Sequence, residues 1–172
     1  MGQLKKTFFT LKAAVIFFII FIPLLLMNVI QGISFFTLYP FSGKLFRRLN
    51  VALAGSWWSG CEWLVRKAAG IDILVTGDEL PACENVVLIS NHQGWGDIPI
   101  LFKLAKKAKR IGNMKWFVKD GLKYVPAIGW GMVFLDCLFV KRSWQKDKSK
   151  VEATFKKFFD HDIPIWLMLF PE

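Results

Sequence analysis

The sequence predicts an α/β fold that carries an apolar segment at its amino end. From residue 71 onward, short apolar runs typical of strands alternate with segments in which apolar residues recur at helical spacing. This alternation indicates a largely buried sheet covered by helices. Ahead of it, residues 13–43 contain no charged residue at all. The 172-residue chain is long enough for one domain and a small appendage.

The composition favours contact with membranes and with anionic ligands. Hydrophobic residues make up 54% of the chain and aromatic residues 16%, more than an ordinary soluble domain carries. The formal net charge of +10 suits phospholipid headgroups, phosphorylated substrates, coenzyme A or nucleic acid. Cys61, Cys83 and Cys137 match neither a zinc pattern nor a disulfide framework, so we expect free thiols and no metal site.

The apolar segment predicts membrane insertion. Residues 13–30 would form a helix of roughly 27 Å, close to the thickness of the hydrocarbon core. Apolar residues resume over 33–41, and basic residues flank the segment on both sides, so charge does not orient a single span. We favour a helical hairpin, or one span followed by an interfacial segment. A cleaved signal peptide is the alternative, although no small-x-small site follows the run.

The chain divides into three predicted parts. Residues 1–43 are a membrane anchor, residues 44–70 a connecting helix ending at Gly70, and residues 71–172 the α/β domain. The tryptophans of the connecting helix suit either a lipid interface or the core of the domain. Helices are expected from Asp97 to about residue 111 and over 149–159, with a helical turn over 120–124. The predicted strands are residues 71–77, 86–90, 114–118, 138–140 and 163–170.

A strand-to-helix turn holds two residues that fit acid–base chemistry. His92 and Asp97 would point roughly 140° apart on a helix, but a turn through Gly94 and Gly96 can bring the carboxylate to the imidazole. A general base needs such a pair, because the ring takes a proton while the carboxylate holds its tautomer. The plainer alternative is a surface histidine beside a helix-capping aspartate.

Three short blocks occur in an order that resembles a known enzyme family. Asn91, His92 and Asp97 match the N-H-x4-D block of the glycerolipid acyltransferases, the 1-acylglycerol-3-phosphate and lysophospholipid acyltransferases. Arg142 follows a short apolar strand, as the arginine of their second block does. Residues 170–172 match the start of their third block, F-P-E-G-T-R.

Further residues narrow the resemblance and mark departures from it. Residues 118–123 and 140–143 are most similar to the branch that contains the lysocardiolipin acyltransferases. Gly94 stands where the family often has serine, and Lys141 stands where many members have aspartate. Because the sequence ends at Glu172, inside the third block, we expect a carboxyl-terminally truncated domain.

The resemblance over residues 71–172 implies a glycerol-3-phosphate-acyltransferase-like sandwich, incomplete here, with an N-terminal membrane helix or helical hairpin. It implies transfer of a fatty acyl group from acyl-coenzyme A, or an acyl carrier protein, to the hydroxyl of lysophosphatidic acid or a related lysophospholipid. No bound cofactor is implied. His92 would act as the general base, oriented by Asp97. The residues implied to bind substrate are Arg142, Lys141 and Glu172.

Other functions stay open beside this one. The main alternative is a catalytically incomplete, membrane-bound relative that binds anionic lipid. Nucleic-acid binding rests on charge alone, and a metal-dependent hydrolase lacks clustered ligands. His161 and Asp136 are expected to be surface and structural residues. The expected location is integral to a membrane: endoplasmic reticulum or mitochondrial in a eukaryote, inner membrane in a bacterium.

Overall fold

Five α-helices and four strands make up the part of the chain that the computed structural model describes, residues 3–94 and 96–171. The helices are α1 (Gln3–Thr37), α2 (Gly43–Ala69), α3 (Asp97–Lys107), α4 (Ile128–Phe134) and α5 (Trp144–Asp160). The strands are β1 (Val86–Ile89), β2 (Met114–Lys119), β3 (Leu138–Val140) and β4 (Trp166–Leu169). Short 3-10 turns, Ile111–Asn113 and Asp120–Tyr124, flank β2.

The four strands form one parallel sheet in the order β1-β4-β2-β3. Trp166 of β4 stands opposite Val86 of β1 on one side and Met114 of β2 on the other. On the outer side of β2, Phe117 pairs with Leu138 of β3. Since all strands run the same way, their last residues share one border of the sheet, here called the carboxyl edge, and their first residues share the amino edge.

Helices cover both faces of the sheet. Trp166 and Met168 of β4 belong to a core with α2 and α3, where Phe102 is also buried. Leu167, between them in sequence, belongs to a second core that contains Phe158 of α5. Successive side chains of this central strand therefore point to opposite faces of the sheet, and each face has its own core. This arrangement confirms the predicted α/β fold, and the structure shows that the sheet is parallel.

The first two helices lie antiparallel along each other. Near the start of α1, the Lys12 ammonium donates to the carbonyl oxygen of Ala68 at the end of α2, at 3.0 Å. Toward the other end, the Gln31 side-chain amide donates to Asn50 Oδ1 at 2.8 Å. A tight turn over residues 38–42 joins the helices, and the Ser42 hydroxyl caps α2 by accepting from the Leu45 N–H.

The inner face of α1 is the polar one. Asn28, Gln31 and Ser34 are buried against the rest of the protein, whereas Phe18, Ile22 and other apolar side chains face outward and are more than half exposed. The helix is long and apolar enough to cross a membrane. It continues past Pro23 to Thr37 without a break. A hairpin therefore forms, but its second arm is α2 and not the apolar segment 33–41.

Several details differ from the sequence-based expectations. Residues 71–77 form no strand: they have no neighbouring strand to bond with, and Leu74 is exposed. The strand β1 lies at the edge of the sheet, so Val87 and Ile89 are exposed where a buried strand was expected. Apolar spacing in the helix predicted over 149–159 would place Phe159 inward beside Phe158, but Phe159 is 80% exposed. The short helix α4 was not predicted.

The three tryptophans of α2 were expected either in the core of the domain or at a lipid interface, and the structure places them differently from one another. Trp58 is buried in the core and stacks on Phe102 of α3, with ring centroids 5.8 Å apart. Trp57 is partly buried and its indole N–H donates to the Ile20 carbonyl oxygen of α1. Trp63 is 54% exposed. One ring therefore packs the domain, one joins the two helices, and one faces outward.

Candidate active site

His92 and Asp97 meet in the turn between β1 and α3. The Nδ1 atom of His92 lies 3.0 Å from Asp97 Oδ2. Asp97 is the first residue of α3, so the helix start fixes its position, while His92 follows β1 by three residues. The predicted contact is thus present. The bend does not require left-handed glycine, because Gly96 has a helical φ of −66° and Gly94 also avoids positive φ.

One carboxylate oxygen organises the whole turn. Besides His92 Nδ1, Asp97 Oδ2 accepts hydrogen bonds from the backbone N–H groups of Gln93 at 2.7 Å and Gly94 at 3.0 Å. These bonds, those of Gly94 and Gln93 first and that of His92 after them, hold the pKa of the Asp97 carboxyl below its usual value. The carboxylate is therefore ionised at neutral pH and can only accept.

The tautomer of the histidine follows from this contact. Because the Asp97 carboxylate accepts, His92 Nδ1 must carry a proton and donate it. In the neutral ring Nε2 is then unprotonated and holds the free lone pair. The His92 side chain is 40% exposed. The pair can take one proton at Nε2 and stabilise the resulting imidazolium through Asp97.

An aromatic ring supports the back of the histidine. Phe170, directly after β4, stacks on His92 with centroids 4.4 Å apart and planes 22° apart. Phe170 in turn contacts Trp116 of β2 at 6.2 Å, and Trp116 meets Phe102 edge to face at 6.4 Å. The imidazole is thus one end of a row of rings that reaches the core. The sequence identified Phe170 only as a motif residue, since nothing local predicts that β4 lies beside β1.

Arg142 lies in a sharply turned loop after β3. It is exposed and has a positive φ of 59°. The buried carboxylate of Asp147 on α5 holds the loop by accepting from the Lys141 N–H at 2.9 Å and the Ser143 N–H at 3.1 Å. The bond from Lys141 contributes most to holding the pKa of Asp147 below its usual value. Sequence analysis missed Asp147 because it began the helix at residue 149, and the four-residue separation of Ser143 and Asp147 does not match the three-residue spacing of a capping box.

The sheet order separates the predicted site residues along the carboxyl edge. His92 follows β1 and Arg142 follows β3, the two outer strands, with β4 and β2 between them. Three strand spacings amount to roughly 14 Å. Lys141 is exposed beside Arg142, and exposed Lys119 ends the intervening strand β2. Glu172, the remaining predicted binding residue, lies outside the described residues.

The other polar residues singled out in the sequence lie elsewhere. His161 is exposed in the loop after α5, and Asp136 forms an ion pair with Lys157 at 2.6 Å. The cysteines are free: Cys61 and Cys137 are buried and Cys83 is exposed. Within residues 3–94 and 96–171, no three histidine, cysteine or acidic side chains are grouped to hold a metal ion.

Comparison with known proteins places this geometry in a family. The family model described as Acyltransferase matches residues 72–172, which include β1, α3 and the turn between them. The chain is similar to 1-acyl-sn-glycerol-3-phosphate acyltransferase 3 of Arabidopsis thaliana, with 36% identity over 152 residues, 86% of this chain and 40% of that protein. No solved structure gives a significant match.

Two further relatives come from a mammal and from a second plant. The Homo sapiens 1-acyl-sn-glycerol-3-phosphate acyltransferase gamma is 30% identical over 159 residues, covering 90% of this chain and 42% of its own length. The Brassica napus 1-acyl-sn-glycerol-3-phosphate acyltransferase 2 is 30% identical over 156 residues, covering 88% and 40%. The chain therefore spans about two fifths of the curated relatives it matches. With the family model matching more than half of its length, the chain belongs to the Acyltransferase family.

Proposed function

We propose that this protein transfers a fatty acyl group from acyl-coenzyme A to the free hydroxyl of lysophosphatidic acid, with His92 as the general base. The observation that carries the proposal is the 3.0 Å contact between His92 Nδ1 and Asp97 Oδ2, which leaves Nε2 free to accept a proton. The names of the relatives, all 1-acyl-sn-glycerol-3-phosphate acyltransferases, favour lysophosphatidic acid as the acceptor.

The chemical step needs one base and no covalent intermediate on the protein. His92 Nε2 takes the proton of the acceptor hydroxyl as its oxygen attacks the thioester carbonyl carbon. A C–O bond forms and the C–S bond breaks, so the coenzyme A sulfur leaves as thiolate. The imidazolium, stabilised by Asp97, then gives its proton to that sulfur. The ester and the free thiol are the products, and His92 returns to its starting state.

Acceptor binding uses the basic residues of the carboxyl edge. The Arg142 guanidinium offers paired donors that suit a phosphate monoester, and Lys141 adds charge beside it. β4 and β2 separate the strand ends that carry Arg142 and His92 by roughly 14 Å, which is farther than the hydroxyl and the phosphate of one acceptor lie apart. The acceptor therefore lies with its hydroxyl at His92, and the long Arg142 side chain reaches along the edge from β3 toward its phosphate. Glu172 remains a candidate for positioning the acceptor.

The anchor keeps this site beside lipid substrates. In this proposal the exposed apolar face of α1 contacts the bilayer, the parallel sheet is the core of the acyltransferase sandwich, and the protein is a membrane enzyme of phospholipid biosynthesis. A lysolipid and an acyl-coenzyme A both concentrate at a membrane surface, so a tethered active site meets them there.

The test is acyl transfer in membranes that contain the full chain. Labelled acyl-coenzyme A is supplied with lysophosphatidic acid, and in parallel with lysolipids of other headgroups. His92→Ala is expected to lower the rate by at least about a hundredfold, since general-base catalysis contributes that much. Lys156→Ala is the control, because it shortens an exposed side chain of α5.

Two results would contradict the proposal. Wild-type transfer that survives His92→Ala would remove the histidine from the mechanism. Absence of transfer with every acceptor, from protein that is folded and membrane-bound, would favour the alternative of a relative that binds anionic lipid without turning it over. Preference for another lysolipid would keep the mechanism and change the acceptor.

A further inference from the structure

A second concave site lies at the opposite edge of the sheet from His92. It is a cavity of about 500 Å³ at the amino edge, within the size range of small-molecule sites. The residues just before three neighbouring strands line it: Asn113 before β2, Asp136 before β3 and Ile163 before β4. The first turns of α2 close the remaining side. The acyl-transfer proposal makes no use of this cavity.

The cavity is lined by positive charge that has no acidic partner. Lys44, Arg47 and Arg48 contribute side chains from the start of α2. None of the ion pairs found in the described part of the chain includes any of these three residues. Two acidic residues, Asp136 and Asp162, line the cavity beside these three basic ones. Asp136 is already paired with Lys157 at 2.6 Å.

A buried ammonium adds to this imbalance. Lys115, on β2, lines the cavity and is only 3% exposed. Its Nζ donates to the carbonyl oxygen of Leu135, which is a neutral acceptor and does not compensate the charge. Burial lowers the pKa of Lys115, Cys137 and Asp136 partly oppose this, and the positive charges of Lys157 and Arg47 lower the pKa further. An anion in the cavity would offset both effects.

The cavity also adjoins an exposed aromatic turn. Tyr39 and Arg47 lie on either side of Gly43: a Cβ added there would be 3.7 Å from the Tyr39 ring and 3.4 Å from the Arg47 guanidinium. Phe36 and Phe41, at the same end of α1, are 78% and 89% exposed. Aromatic rings beside basic side chains are typical of a protein surface at the headgroup layer of a membrane.

We propose that the cavity at the amino edge binds a phosphate monoester through Arg47, Arg48 and Lys115, separately from the acceptor site at the carboxyl edge. The ligand is either the headgroup of an anionic phospholipid that enters beside Phe41 or a small soluble phosphate ester. Guanidinium groups bind phosphate oxygens in pairs, and Lys115 supplies a further donor from β2 whose protonated form a bound anion would favour. Such a site tethers or regulates the enzyme and takes no part in the chemistry.

The test compares two double variants with equal loss of charge. Arg47→Gln with Arg48→Gln alters the cavity, whereas Lys146→Gln with Lys156→Gln removes two exposed charges from α5. Both are made in protein that carries Arg142→Gln, so phosphate bound at the carboxyl edge does not contribute. Calorimetric titration with glycerol 3-phosphate tests the soluble ligand. Calorimetric titration of the detergent-solubilised protein with short-chain phosphatidic acid, and with short-chain phosphatidylcholine beside it, tests the headgroup.

The cavity variant is expected to bind at least about tenfold more weakly than the α5 variant, the effect of losing one charge-assisted bond. If the cavity variant loses binding of glycerol 3-phosphate, the ligand is a soluble ester. If it loses binding of phosphatidic acid alone, the ligand is the headgroup. Equal binding by the two double variants, or no binding of either probe by the parent protein, would overturn the proposal. Far-ultraviolet circular dichroism confirms that both variants are folded before binding is measured.

Discussion

At the scale of single residues, the candidate site depends on what one carboxylate oxygen can accept. Asp97 Oδ2 holds two backbone N–H groups and the His92 ring at once, so the same atom shapes the turn and selects the tautomer. Phe170 restrains the ring from its face. A histidine held on two sides needs little reorganisation when it takes a proton.

Asp97→Asn tests the charge while keeping the shape. The amide is neutral, so it cannot stabilise the imidazolium, and we expect the acyl-transfer rate constant to fall by about a hundredfold or more. The KM for lysophosphatidic acid should change little, because Asp97 does not contact the predicted phosphate site. Steady-state kinetics separate the two parameters. A loss of less than about threefold would mean that the carboxylate serves the turn alone.

Asp147→Asn tests how a buried carboxylate holds the Arg142 loop. The pKa of Asp147 is lower in the folded protein than its usual 3.8, so its contribution to stability is complete above that value. The contribution is lost as the pH falls through the lower pKa of the folded state. We therefore expect wild type to have a higher melting temperature than Asp147→Asn at neutral pH, and the gap to narrow below about pH 3.8. Asp78→Asn, in an exposed loop, is the control; a gap that stays constant with pH would contradict this account.

At the scale of elements, α2 contacts α1, α3 and the 3-10 turn before β2. It packs along α1, contributes Trp58 to the core above the sheet, and forms one wall of the basic cavity. The backbone of the 3-10 turn Ile111–Asn113 lies directly against it: a Cβ added at Gly112 would be 2.3 Å from the Val51 carbonyl oxygen. Gly112 therefore has to lack a side chain, because the atom that a Cβ would meet belongs to the backbone of α2 and cannot rotate away as a side chain can.

Gly112→Ala and Gly60→Ala should therefore have opposite effects. The first forces α2 away from the domain, and overpacking of this kind costs about 1–3 kcal/mol of unfolding free energy. At Gly60, in the middle of α2, an added Cβ meets nothing within 4 Å. Alanine there should gain roughly 0.5–1 kcal/mol, because it lowers the entropy cost of forming the helix. Denaturant unfolding in detergent measures both; a neutral Gly112→Ala would show that α2 can shift freely.

At the scale of the whole molecule, α1 reverses the usual polarity of a surface helix. Its polar side chains Asn28 and Gln31 face the protein, and its apolar side chains face outward along the helix. Water does not favour such an arrangement, whereas a bilayer does, because the NH2 groups of Asn28 and Gln31 donate hydrogen bonds inside the protein and the apolar groups meet lipid.

Lysines on the outer face of α1 should release the protein from membranes. Ile22→Lys with Val29→Lys places two charges on the exposed side of the helix, each costing roughly 2.5–3.5 kcal/mol at the centre of a bilayer. We expect the fraction recovered with floated phosphatidylcholine vesicles to fall sharply. Trp144→Lys with Phe159→Lys alters two exposed apolar residues of α5 and should leave flotation unchanged. Equal flotation of both variants would argue against α1 as the membrane contact.

Local chemistry explains which predictions succeed. The helices α2 and α3, the strands β2 and β3 and the turn over 120–124 are each predicted from short-range patterns, such as apolar spacing and the Gly70 cap. The contact of His92 with Asp97 spans only five residues, so it too is a local property. Residues 71–77 show that a short-range pattern does not suffice for a strand: their apolar alternation resembles a strand, but no neighbouring strand pairs with them.

The sequence by itself determined the α/β class, the family and the pair His92 and Asp97, because these depend on residues close together in the chain. Tertiary structure decided the strand order that separates Arg142 from His92, the stacking of Phe170, and the pairing of α1 with α2. These features depend on contacts between residues tens of positions apart. Their stability arises from packing and burial summed over the folded chain, which no local pattern encodes.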